Sequence, residues 1–155
     1  MSVHDWIKQL CRDEDLGAPA IDALGDWEFA WDDMPCVVSI TPGEEAVVFI
    51  AGVAPIPEAP SELYATLLER NLAPSDLGGA SFALDRGAGR VCLVWRNPVR
   101  NMDARSFRES LSSFLDSASR CAQEIASGNH AGVAPTNHVA EDNFADLALT
   151  GAIRV

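Results

Sequence analysis

The side chains with the widest chemical range in this sequence are four cysteines, three histidines and two acidic runs, Asp13-Glu14-Asp15 and Asp32-Asp33. Zinc binding or dithiol redox chemistry needs thiolates that converge at short spacing, as in C-x-x-C. Here Cys11, Cys36, Cys92 and Cys121 are 25, 56 and 29 residues apart, each among apolar neighbours. They read as buried free thiols of a reducing compartment. His130 and His138 stand eight residues apart in a Gly- and Pro-containing segment, without the fixed spacing of helical metal ligands. His4 falls near a helix start, where a surface side chain is expected. The acidic runs could offer oxygens to Mg²⁺ or Ca²⁺, but neither follows the D-x-[DN]-x-[DN]-G order. Gly87-Ala88-Gly89 resembles a phosphate loop only superficially, because it lies between two strand patterns and no Gly-Lys-Ser/Thr follows. No G-x-S-x-G is present. The sequence predicts no catalytic residue, no metal site and no cofactor, so a binding protein is expected and not an enzyme.

Charge narrows the partners. The net charge is −12, and residues 1–69 hold 14 acidic side chains against Lys8 and Arg12 alone, while residues 70–155 hold nine of each sign. An acidic first half repels phosphate backbones and argues against nucleic acid. It favours a basic or polar partner and keeps exposed apolar surface soluble. No run reaches the ~18 apolar residues of a membrane span, so no membrane insertion is expected. The start, Met1-Ser-Val-His-Asp-Trp, has no basic segment followed by an apolar run, and retention in the cytosol is the expectation.

The elements follow from periodicity. Ser2 and Asp5 make a capping box for a helix over 2–12, with Val3, Ile7 and Leu10 at helical spacing beside Trp6. Trp27, Phe29 and Trp31 alternate with Glu28, Ala30 and Asp32, the pattern of a half-buried strand. Asp32-Asp33 and Pro35 mark a turn, Cys36–Thr41 a second strand, Pro42–Glu45 a second turn and Ala46–Ala51 a third strand. Ser61 is expected to cap a helix with the apolar stripe Leu63, Tyr64, Leu67, Leu68 and Leu72. A hairpin follows, with Phe82 and Leu84 on one strand and Val91, Leu93 and Trp95 on the other. Asp103 or Asn101 caps the longest helix, whose inward face runs from Phe107 to Ile125. This order, α-β-β-β-α-β-β-α, predicts an α+β fold with an antiparallel sheet and three helices over residues 1–127. Residues 128–155 carry no period, and Phe144, Leu147, Leu149 and Ile153 are the few apolar anchors of a flexible or weakly docked tail. The aromatic residues Trp6, Trp27, Phe29, Trp31, Trp95, Phe82 and Tyr64 are numerous for so small a core. Those the core does not hold are available to a second subunit or a client.

The block Leu67-Leu-Glu-Arg-Asn-Leu72, then Gly78-Gly-Ala-Ser-Phe-Ala-Leu-Asp-Arg-Gly-Ala-Gly-Arg-Val-Cys-Leu-Val-Trp95, then Asp103 through Ile125, resembles the type III secretion chaperones of the Tir-chaperone (CesT-like) family. The likeness spans about residues 1–127 and lies in element order, size and acidity rather than in one motif. It implies a two-fold homodimer in the bacterial cytoplasm. It also implies that the dimer holds the N-terminal chaperone-binding segment of one or more secreted effectors in extended form. The effectors would be kept soluble and secretion-competent and handed to the type III export ATPase. The family's dimer seam maps onto Leu63, Leu67, Leu68 and Leu72, with Trp95 nearby. A client segment adding a strand or filling apolar grooves would meet Trp6, Ile7, Leu10, Trp27, Phe29 and Trp31. The competing reading is a peptide-binding regulatory adaptor of the same fold, not dedicated to secretion. A further one makes residues 127–155 an internal mimic of the client.

Overall fold

The computed structural model describes residues 2–128. Its first helix, α1 (Val3–Asp13), starts where the sequence says it must: Asp5 N–H donates to Ser2 Oγ, and the Asp5 carboxylate accepts from Ser2 N–H, closing the box at both ends. Three strands follow, β1 (Trp27–Trp31), β2 (Met34–Ile40) and β3 (Ala46–Pro55). Then come α2 (Ser61–Asn71), the hairpin β4 (Ser81–Asp85) and β5 (Arg90–Pro98), and the long α3 (Ala104–Ala126). The element order is the expected one. The sheet is antiparallel throughout, in the spatial order β1-β2-β3-β5-β4.

Several local assignments differ from the sequence reading. The β1–β2 turn is only Asp32-Asp33, both at positive φ (48° and 62°), the two-residue geometry that matches strand twist. Pro35 therefore lies inside β2, opposite Ala30, rather than in the turn. Ser61 is the first helical residue of α2, and Pro60 precedes it without any side-chain cap. Asp103 caps α3, exchanging backbone and side-chain hydrogen bonds with Ser106. His4 is not a free surface side chain: its Nε2 lies 3.1 Å from the Gly25 carbonyl, which can only accept, so the ring donates and ties α1 to the approach to β1. Gly25 is at φ 89°, and a Cβ there would press on that imidazole.

All three helices lie on one side of the sheet. Phe49 of β3 meets Phe107 edge-on at 5.6 Å and Phe114 at 5.6 Å, and it stacks on Trp95 at 4.9 Å. Trp6 of α1 reaches Phe107 at 5.9 Å. Arg70 of α2 lies over Phe82, whose side chain shares the face of Phe49, and pairs with Glu124 of α3 at 2.9 Å. The molecule is thus two layers, helices over a sheet, with one core between them.

Candidate binding surface

The six side chains expected to form a client groove divide sharply. Trp6, Ile7, Leu10 and Trp27 are buried in the chain's own core. Phe29 is half-buried and stacks on Trp27 at 4.3 Å, and only Trp31 is exposed, at 41%. The reason is position. Trp27 sits under the helical layer, and the side chains of β1 emerge from beneath it toward Trp31. The α2 stripe divides as well: Leu63 and Leu67 are buried, whereas Leu68 (68% exposed) and Leu72 (84%) project one turn apart into solvent. Trp95 does not join them. It stacks on Phe49 on the α3 side of β5 and borders a cleft of about 270 Å³ lined by Ser110, Ser113 and Ser117.

Apolar surface does escape the core, but chiefly elsewhere. The sheet face opposite the helices carries the cross-strand row Glu28–Val37–Ile50–Val94–Ser81, with Val48 beside it. Val37, Val48, Ile50 and Val94 are only half-buried, because no described helix covers them. The adjoining row, Ala30, Pro35, Gly52, Cys92 and Ala83, is made of small residues and one proline. A Cβ on Gly52 would stand 3.0 Å from the Pro35 ring and 3.2 Å from the Arg90 side chain, so any larger residue there would have to push them aside. The sequence shows that these strands are apolar on both faces, but not which face stays bare. Cys36–Ile40, Ala46–Ala51 and Val91–Trp95 are near-continuous apolar runs, the signature of strands apolar on both faces.

The two sheet edges are unequal. On β4 the Asn71 side chain accepts from Phe82 N–H at 2.7 Å and donates to its carbonyl at 3.2 Å, so α2 occupies that edge at Phe82. On β1 the segment before the strand pairs only with its start: Asp22 N–H donates to Asp26 O and Glu28 N–H to Ala20 O. The alternation of an antiparallel ladder makes Ala30 the next residue whose N–H and C=O face outward. No described residue meets them. Ala30 is exposed, Trp31 follows it, and Glu28, Asp32 and Asp33 give the same edge its negative charge.

The groups with chemical range are inert in this setting. All four cysteines are buried and free. Burial pushes the Cys36 thiol up to about 11, against a smaller opposing backbone hydrogen bond, and raises Cys11, Cys92 and Cys121 as well. Among the described residues no three His, Cys, Asp or Glu side chains gather as metal ligands, and no helix is long and apolar enough to cross a membrane. His130 and His138 lie outside the described residues, as do Phe144, Leu147, Leu149 and Ile153.

Comparison with known proteins adds the following. The model of the Tir chaperone protein (CesT) family matches residues 6–122. No curated protein matches the sequence. Among solved structures, a chain of the ExsC–ExsE complex superposes with a TM-score of 0.69 at 18% identity, over 79% of this chain and 96% of that one. A chain of the HopA1–SchA chaperone–effector complex gives 0.62 at 16%, over 77% and 91%. The Yersinia pestis type III secretion chaperone SycH, in complex with a YscM2 fragment, gives 0.55 at 19%, over 74% and 95%. At these identities the likeness is one of fold.

Proposed function

The chain belongs to the Tir chaperone protein (CesT) family, and from that premise we propose that it is a type III secretion chaperone acting by strand addition at β1. In this reading it works in the bacterial cytoplasm as a homodimer. It holds the N-terminal segment of one or more secreted effectors extended, keeps them secretion-competent and delivers them to the export ATPase. The structural neighbour HopA1–SchA is a chaperone–effector complex, which supports an effector as the partner.

One observation carries the mechanism: the outward N–H and C=O of Ala30, on an edge that no described segment pairs with beyond Glu28. An extended client laid there gains main-chain hydrogen bonds that demand no particular side chain. Its alternate side chains reach Trp31 and Phe29 on one side and the Val37–Ile50 row on the other. Ordering an unfolded client costs roughly 2–5 kcal/mol, so a large contact area is required. The bare sheet face and the exposed Leu68 and Leu72 of α2 are where a client and a second subunit would supply it. The acidic rim of Glu28, Asp32 and Asp33 would speed the approach of a basic client segment and make capture weaker at high salt.

The test uses an effector pulled down from the native bacterium and identified by mass spectrometry, its N-terminal segment then co-expressed with variants. Ala30→Pro removes an outward donor and leaves the β1–β2 ladder whole. It should fold normally and lose capture of the segment at least tenfold, as should Trp31→Glu. Undiminished capture by a folded Ala30→Pro variant ends the strand-addition reading.

A further inference from the structure

A second apolar recess lies away from β1, where the end of β3, the start of α2 and the last turn of α3 converge. It encloses about 390 Å³ between Val53, Leu63, Ala122 and Ile125, rimmed by Pro57 and Glu62. Ligand pockets orient their occupants with several convergent polar groups. Glu62 is the only polar side chain among the described residues lining this one. The recess therefore suits apolar side chains whose position is set by something other than the site itself.

The chain supplies such side chains from next door. Ile125 and Ala126 line the recess, and α3 ends directly after them. Gly128, at φ 69°, donates its N–H back to the Ile125 carbonyl and turns the backbone at the rim. Beyond it the sequence continues for 27 residues, 129–155. Residues 129–143 separate that turn from the next large apolar side chains, and an unstructured tether of this length has a root-mean-square span of about 20 Å. Phe144, Leu147 and Leu149 follow, the largest apolar cluster of that segment. A tether of this length holds its end at an effective concentration of about 1 mM. We propose that residues 144–149 dock in this recess of their own chain, Phe144 and Leu147 filling it. The proposal is independent of client binding at β1, and the recess and the β1 edge are separate places on the fold.

Hydrogen exchange read by mass spectrometry on the full chain, with no client present, tests it. Amides of 144–149 should exchange roughly tenfold more slowly than in a synthetic 129–155 peptide, the factor expected for a site of about 0.1 mM intrinsic affinity at that effective concentration. Ala122→Glu, which puts a carboxylate into the recess, should abolish the difference. A Phe144→Ser, Leu147→Ser double variant changes only the tail. It should speed exchange at the recess amides 119–126, and it decides the matter if Ala122→Glu loses the fold. Free-peptide rates in the wild-type tail overturn the proposal, as do unchanged recess rates in the double variant. Protection that persists in a folded Ala122→Glu variant places the tail elsewhere, and protection that rises with protein concentration assigns the recess to a second copy. Either result overturns it.

Discussion

Asp5 and Asp103 do their structural work as anions. Each is held below the usual carboxylate value first by a backbone N–H, from Ser2 or Ser106, and then by the same serine's hydroxyl. A carboxylate with a depressed folded-state pKa contributes stability above its unfolded value, near 3.8, and loses it as the pH falls through the folded value. The melting temperature of Asp103→Asn should therefore lie below wild type at pH 6, and the gap should close below about pH 4. A gap that stays constant down to pH 2 would mean that charge plays no part in the cap. The thiols behave in the opposite sense. With the Cys36 thiol pushed up to about 11 and the others raised by burial, thiol reagents at pH 8 should react slowly with the folded protein. All four should react promptly in denaturant.

At the scale of elements, the contrast between the two sheet edges governs behaviour. Asn71 at the end of α2 pairs with the backbone of Phe82 as a strand would, and so shortens the open edge of β4 at that residue. Replacing Asn71 with Ala leaves that N–H and C=O without their partner. It should cost about 1–3 kcal/mol, measured by urea unfolding, and raise the tendency to aggregate. A change below about 0.5 kcal/mol would show that water replaces the amide at no cost. The helices were readable from caps and spacing, because those signals are local. The Ser61 cap and the place of Pro35 were not. Whether a proline ends a turn or rides in a strand depends on the register that the Asp32-Asp33 turn sets, and Ser61 begins the helix because Pro60 before it already has helical backbone angles (φ −83°, ψ −4°).

For the whole molecule, the helical layer decides which apolar side chains are spare. Phe49 of β3 packs beneath it, touching Phe107 and Phe114 of α3 and Trp95 of β5. Phe49→Ala should destabilise the fold by about 3–5 kcal/mol, the cost of a large core aromatic. Leu68 and Leu72 are outside that layer, so Leu68→Asp with Leu72→Asp should leave stability nearly unchanged. If α2 forms the seam of a two-fold dimer, the same pair should halve the molar mass measured by light scattering. A dimer that survives both substitutions excludes that seam. Leu67 is unsuited to this test, since its burial would confound dissociation with unfolding.

Taken alone, the amino-acid order determined the succession of helices and strands, the capping of α1 and the family likeness. All of these are set by neighbours within a turn or a hairpin, or by composition. What it left open was which large apolar residues face inward. Trp6, Trp27 and Trp31 look alike as patterned aromatics, yet two are buried and one is exposed. That outcome depends on all three helices packing on a single face of the sheet. The choice is made by contacts between residues far apart in the chain, such as Trp6 with Phe107 and Arg70 with Glu124. Only the tertiary packing leaves Val37, Ile50 and Val94 uncovered and the outward amide of Ala30 without a described partner.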